Sequence, residues 1–162
     1  MIPQFAVLTN VKRLREDKTL EALQKARREV KAAEEKLAQL DAQIAESART
    51  MPERVAAVYA GILGQVTDMA GLDEVKEKEL ELERTHLRLV DRRDRAEHVL
   101  EKKKEAAAEA AVRYTIARRQ HEKYRDMLAD MKREAAEEAI ANEETEVEDL
   151  FTRPRGLSGM SL

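Results

Sequence analysis

The 162-residue chain is 39% charged and 3% aromatic and has no cysteine, which excludes disulfides, thiolate metal sites and an aromatic-rich globular core. Thirty Lys and Arg interleave with thirty-three Asp and Glu for a formal charge of -3, so no net basic field steers nucleic acid to the chain. No apolar run approaches the roughly 20 residues of a membrane span, and Met1-Ile2-Pro3-Gln4-Phe5 lacks the basic start and apolar core of a signal peptide.

Residues 1–10 read as a short lead-in with an apolar patch at Phe5, Val7 and Leu8. Asn10 is the expected N-cap of a first helix running from about Val11 to about Thr67. Its apolar positions are Leu23, Ala26, Val30, Ala33, Leu37, Leu40 and Ile44, followed by Ser47 and Met51. They alternate in steps of three and four, the seam of a coiled coil rather than the wider face of a globular helix. Before Leu23 the seam positions hold Glu16 and Thr19, so the apolar face is expected to shift toward Val11, Leu14 and Leu20.

Pro52 removes a helical hydrogen bond. Thr50-Met51-Pro52-Glu53 has the spacing of a capping box that could open a new helix. Alternatively one helix continues with a kink, since Val55, Val58, Ile62 and Val66 resume the stripe. A kink or short break without reversal is the preferred reading. Gly61 and Gly64 weaken the helix further. The chain is expected to reverse at residues 68–72, where Gly71 supplies a positive φ, with Asp68 or Asp73 capping the return helix.

The second helix is expected from about Asp73 to about Ala141. Its seam reads Leu82, His86, Leu89, Arg93, Ala96, Leu100, Lys103, Ala107, Ala110, Tyr114 and Ala117. The two seams mirror each other about residue 70. Leu23 then faces Ala117, Ala26 faces Tyr114, Val30 faces Ala110, Leu37 faces Lys103, Leu40 faces Leu100 and Ser47 faces Arg93. The expected fold is therefore all-α: two long helices in an antiparallel coiled-coil hairpin over residues 1–141. Residues 142–162, acidic and then rich in Gly, Ser and Pro, read as a disordered tail.

Such a hairpin leaves no concavity for convergent catalytic groups, and no catalytic residue, cofactor or metal is expected. None of His86, His98 and His121 has a metal-ligand spacing. His86 and His121 fall on the seam, where polar residues fix register. No phosphate-binding loop is present, because Gly61 and Gly64 lack its spacing and its Lys-Ser/Thr. Basic runs such as Lys102-Lys103-Lys104 have no interleaved aromatics and read as a solvated face. Met and Tyr side chains at both ends either complete the seam or form docking surfaces.

A short apolar start with basic residues (Phe5 to Leu14), an alanine–leucine heptad helix, a turn after about 70 residues and a return helix carrying His121-Glu-Lys-Tyr124-Arg-Asp-Met-Leu128 together resemble the type III secretion stalk proteins of the YscO/SctO family and their flagellar relative FliJ. The resemblance covers roughly residues 1–145. It implies a central stalk, not an enzyme, that links a hexameric export ATPase to the cytoplasmic ring of the export gate and promotes ATPase assembly and activity. It further implies a virulence-associated, cytoplasmic protein at the inner-membrane export apparatus, monomeric when isolated and holding secretion chaperones on its surface. Carried over, the ATPase-binding positions are Lys12, Arg13, Leu14, Tyr124, Leu128 and Lys132. The gate-binding positions are Val75, Leu82 and His86, with Glu79 a departure from an apolar expectation. A self-associating coiled-coil scaffold and a prefoldin-like chaperone arm are the alternatives.

Overall fold

A computed structural model describes residues 1–64 and 68–152 of the chain. It consists of two helices, α1 (Ile2–Ala60) and α2 (Met69–Thr152), and the expected all-α hairpin is the fold. Ala, Leu, Glu, Lys and Arg fill both helices, and these are the residues that lose least side-chain freedom on becoming helical.

Several boundaries differ from the sequence reading. Helix α1 begins at Ile2 rather than at Val11, because Pro3 in the first turn lacks only an N–H that would go unused there. Asn10 is consequently interior, and its Oδ1 accepts from Arg13 Nε and Nη2 at 3.1 and 2.9 Å. Helix α1 also runs through Pro52 without ending, which favours the single-helix reading over a new capped helix. Proline and the residue four before it, Ala48, are both exposed.

The reversal falls earlier than residues 68–72. Helix α1 stops at Ala60, Gly61–Gly64 form turns, and Gly64, not Gly71, has the positive φ, at 76°. Gly71 lies in the first turn of α2, where its N–H donates to Asp68 Oδ1 at 2.9 Å. Asp68 is thus the cap of α2. The expected helix end at Thr67 and the seam residue Val66 lie outside the described residues, as does the coil expected beyond Thr152. At the other end α2 passes Ala141 and continues to Thr152. Residues 142–152 are helical because no Gly or Pro interrupts them, and Thr145 and Thr152 back-bond to Ala141 O and Glu148 O.

The chain divides into two compact units. In the unit Glu21–Val112, contacts run antiparallel: Glu29 with Lys103 (3.3 Å), Asp41 with Arg93 (2.9 Å), Ser47 with His86 (2.9 Å) and Tyr59 with Glu79 (2.5 Å). Leu23, Leu40, Val75, Ala96 and Leu100 are its buried apolar residues. The seam positions are those expected, but the register is not. Ser47 meets His86 instead of Arg93, and Lys103 meets Glu29 rather than Leu37. The pairing of Leu40 with Leu100 and of Val30 with Ala110 is offset in the same sense, by about one heptad, or roughly 10 Å of helix. A seam with a seven-residue repeat looks the same after a seven-residue slip, so apolar pattern alone does not choose between the two registers. The earlier reversal and the polar pairs choose.

The other unit joins Met1–Leu20 to α2 from Arg113 onward. Here the seam continues through Phe5, Thr9, Lys12, Glu16 and Thr19, all buried or half-buried. Val11 and Leu14 are 37% and 50% exposed, so the expected shift of the apolar face toward them does not occur. Polar partners hold the seam instead: Thr9 Oγ1 bonds to Phe5 O at 2.9 Å and Tyr124 O at 3.5 Å, and His121 Nδ1 donates to Glu16 Oε2 at 2.5 Å. From Lys132 to Thr152 every residue of α2 is exposed.

Candidate functional site

The unit that carries the N-terminus builds a small cluster around Tyr124. Phe5 stacks on the Tyr124 ring with centroids 5.2 Å apart and planes 12° apart. Lys12 Nζ stands 5.1 Å from the same ring centroid, within cation–π range. The 3-4 spacing of Phe5, Thr9 and Lys12 places all three on the face of α1 that meets α2.

Of the six positions that the resemblance carries over for ATPase binding, the structure joins Lys12 to Tyr124 directly. Leu128 follows Tyr124 by one turn on the same face and is half-buried. Arg13 and Leu14 are exposed and point away from the seam; Arg13 is engaged by Asn10 and, at 3.7 Å, by Asp17. Lys132 is exposed. The sequence reading noted Phe5 only as part of an apolar lead-in and missed Thr9. Once α1 starts at Ile2, the spacing of residues 5, 9, 12 and 16 is the signal that would have found them.

Val75, Leu82 and His86, the positions that the resemblance carries over for gate binding, lie in the unit Glu21–Val112. Val75 is 5% exposed, while Leu82 and His86 are half-buried. All three face α1 as seam residues. Ser47 Oγ accepts from Arg54 Nη2 at 3.1 Å and lies 2.9 Å from His86 Nδ1. The hydroxyl has two acceptor lone pairs and one proton, so it meets the guanidinium and the imidazole nitrogen together, with the direction of the second bond set by the imidazole tautomer. Glu79 departs from an apolar pattern because it accepts the Tyr59 hydroxyl. That bond pushes the Tyr59 phenol above its ordinary range, helped by partial burial and by the carboxylate charge.

Charge on the flanks of this unit is also organised. Arg93 bonds Asp41 and, very closely, Glu97; its guanidinium pKa is raised first by the Asp41 bond and then by the Glu97 charge. Glu46 is held below the usual carboxylate range by its bond to Arg49. Such exposed pairs are screened by solvent and add little to stability.

Among the described residues no group of three or more His, Asp or Glu side chains is arranged to hold a metal ion, and no helix is long and apolar enough to cross a membrane. What the geometry offers is surface: an aromatic–cation cluster in the unit that carries the N-terminus, a polar-locked seam in the unit Glu21–Val112, and the exposed final turns of α2.

The family model described as type III secretion protein YscO matches residues 5–153. No curated protein and no solved structure matches the chain.

Proposed function

We propose, from the premise that this chain belongs to the YscO family of type III secretion proteins, that it is the stalk standing between the export ATPase hexamer and the export gate. The observation that carries the reading is the Tyr124 cluster. It gathers Phe5, Lys12 and Tyr124 from both helices, so a stacked aromatic pair with a cation over it sits in the unit that holds the N-terminus, while Leu14 of the same unit is exposed on another face. Buried aromatic and cationic anchors of this kind carry most of the energy of protein interfaces.

In this reading Lys12, Arg13, Leu14, Tyr124, Leu128 and Lys132 contact the ATPase ring. A two-helix element has no six-fold symmetry, so it touches the six subunits unequally and biases their nucleotide states while helping the ring assemble. The stalk hydrolyses nothing itself. The gate-facing surface lies in the unit with Val75, Leu82 and His86. Those three face inward, so the residues flanking them, such as the exposed Leu87, make the contact while the seam residues hold them in place. The outer faces take secretion chaperones, and the protein works on the cytoplasmic side of the export apparatus.

The test is to titrate the purified chain into a purified type III export ATPase. The hydrolysis rate and the hexamer fraction both rise. A folded chain that alters neither removes the stalk reading and leaves the scaffold and chaperone-arm alternatives.

A further inference from the structure

The final turns of α2 carry an apolar stripe of their own. Ile140, Val147, Leu150 and Phe151 repeat at seven, three and four residues and are 56%, 50%, 70% and 79% exposed. They do not prolong the hairpin seam, whose continuation past Met131 would fall on Ala135, Glu138, Asn142, Thr145 and Asp149. The stripe is therefore a separate face on a segment that has run out of α1 to pack against. Between residues 134 and 152 there are eight carboxylates and no Lys or Arg. The segment is an acidic amphipathic helix, the form that seats in an apolar groove with basic walls.

The unit Glu21–Val112 contains a groove of that chemistry. Lys36, Arg92 and Arg95 line it with Gln39 and Gln43, Val99 is its exposed apolar residue over a floor of buried Leu40 and Ala96, and no carboxylate is among the lining residues. Among the described residues none of the three cations has an ion-pair partner within 4.0 Å, whereas neighbouring Arg93 has three. An apolar lining suits a side-chain stripe better than a sugar–phosphate backbone. Pairing two tails with each other would set eight carboxylates against eight, which like-charge repulsion opposes.

We propose that the acidic helix 134–152 of one copy docks in the Lys36–Arg92–Arg95 groove of a second copy. The contact is electrostatically selected and weak, so that dilute protein is monomeric and concentrated protein associates. It does not depend on the stalk reading.

Sedimentation equilibrium of the full chain tests this. The weight-average mass rises above 18.5 kDa with concentration at low salt and returns to it when salt is raised to about 0.5 M, where screening shortens the reach of charge to a few Å. Arg92→Glu with Arg95→Glu abolishes the rise, and so does Glu143→Lys with Glu144→Lys. Mixing or combining the two charge swaps restores it. These positions are exposed, and circular dichroism checks that each variant keeps its helices. A chain that stays monomeric at every concentration overturns the proposal. So does association that survives the groove swap, as tail-to-tail pairing would, or association that the paired swaps fail to restore.

Discussion

Ser47 Oγ lies 2.9 Å from His86 Nδ1 across the two helices, and this contact sets the register of the unit Glu21–Val112. Ser47 is 9% exposed. Sliding the helices by one heptad would set Ser47 against Arg93 and take Arg93 away from Asp41. The slip would part the half-buried imidazole from the serine, which keeps its bond from Arg54, and an unpartnered imidazole there costs about 1–3 kcal/mol. An apolar seam tolerates the slip; this polar layer does not.

Cysteines introduced at Ser47 and His86 therefore form an intramolecular disulfide readily on mild oxidation. Cysteines at Leu40 and Leu100, offset by a heptad, do not, because bridged Cα atoms lie within about 7 Å. Non-reducing electrophoresis and peptide mapping distinguish the two. Efficient bridging of Leu40→Cys with Leu100→Cys would place the chain in the other register.

The same seam makes a stability contrast. Leu40 is 7% exposed and Leu14 is 50% exposed. Leu40→Ala lowers the unfolding free energy by about 2–4 kcal/mol, and Leu14→Ala by less than about 0.5 kcal/mol. Urea denaturation followed by circular dichroism measures both. Comparable losses at the two sites would mean that the apolar face does turn toward Leu14.

The hydrogen bond from Tyr59 to Glu79 gives a pH signature. The Tyr59 pKa is raised in the folded chain. Its contribution to stability is therefore fully present below the unfolded tyrosine value near 10 and is lost as pH rises through the higher folded value. Subtracting the phenolate absorbance of Tyr59→Phe from that of the unaltered chain isolates this titration, with a midpoint above about 10. Glu79→Gln moves the midpoint down. A midpoint unaffected by Glu79→Gln would show that the bond is absent in solution.

How much of this was legible beforehand follows from what each signal encodes. The 3-4 alternation from Leu23 to Met51 gives helices, hairpin and buried face directly, because burial repeats with the helix. Register needed partners that are adjacent only in the folded chain: His86 had two seam positions available to face, Ser47 or the one a heptad away. The N-terminal start was misplaced because Asn10 is a good cap in isolation, while Pro3 states the true boundary more quietly. Seam polarity at Thr9 and Glu16 looked like a shift of face, and only Tyr124 and His121 from the far end of the sequence explain it. Leu14 entered the candidate patch by resemblance, and its exposure suits a contact with another protein. Val75, drawn in the same way, is buried against α1.

The polar seam near the N-terminus has its own test. Glu16→Ala leaves His121 half-buried without its partner and costs about 1–3 kcal/mol, whereas Glu16→Leu with His121→Leu is close to neutral, since an apolar pair of similar size restores the layer. Thermal melts of the three proteins measure this. A destabilised double variant would mean that the pair does more than fill the seam.

The stalk reading turns most directly on which end of the chain meets the ATPase. A photo-crosslinking residue placed at Leu14 or Leu128 in the Tyr124 unit, or at Leu87 in the other unit, is mixed with the assembled export ATPase and irradiated. The account predicts adducts to the ATPase from Leu14 and Leu128 and none from Leu87. Adducts from Leu87 alone, or from no position when the chain is folded, would contradict it.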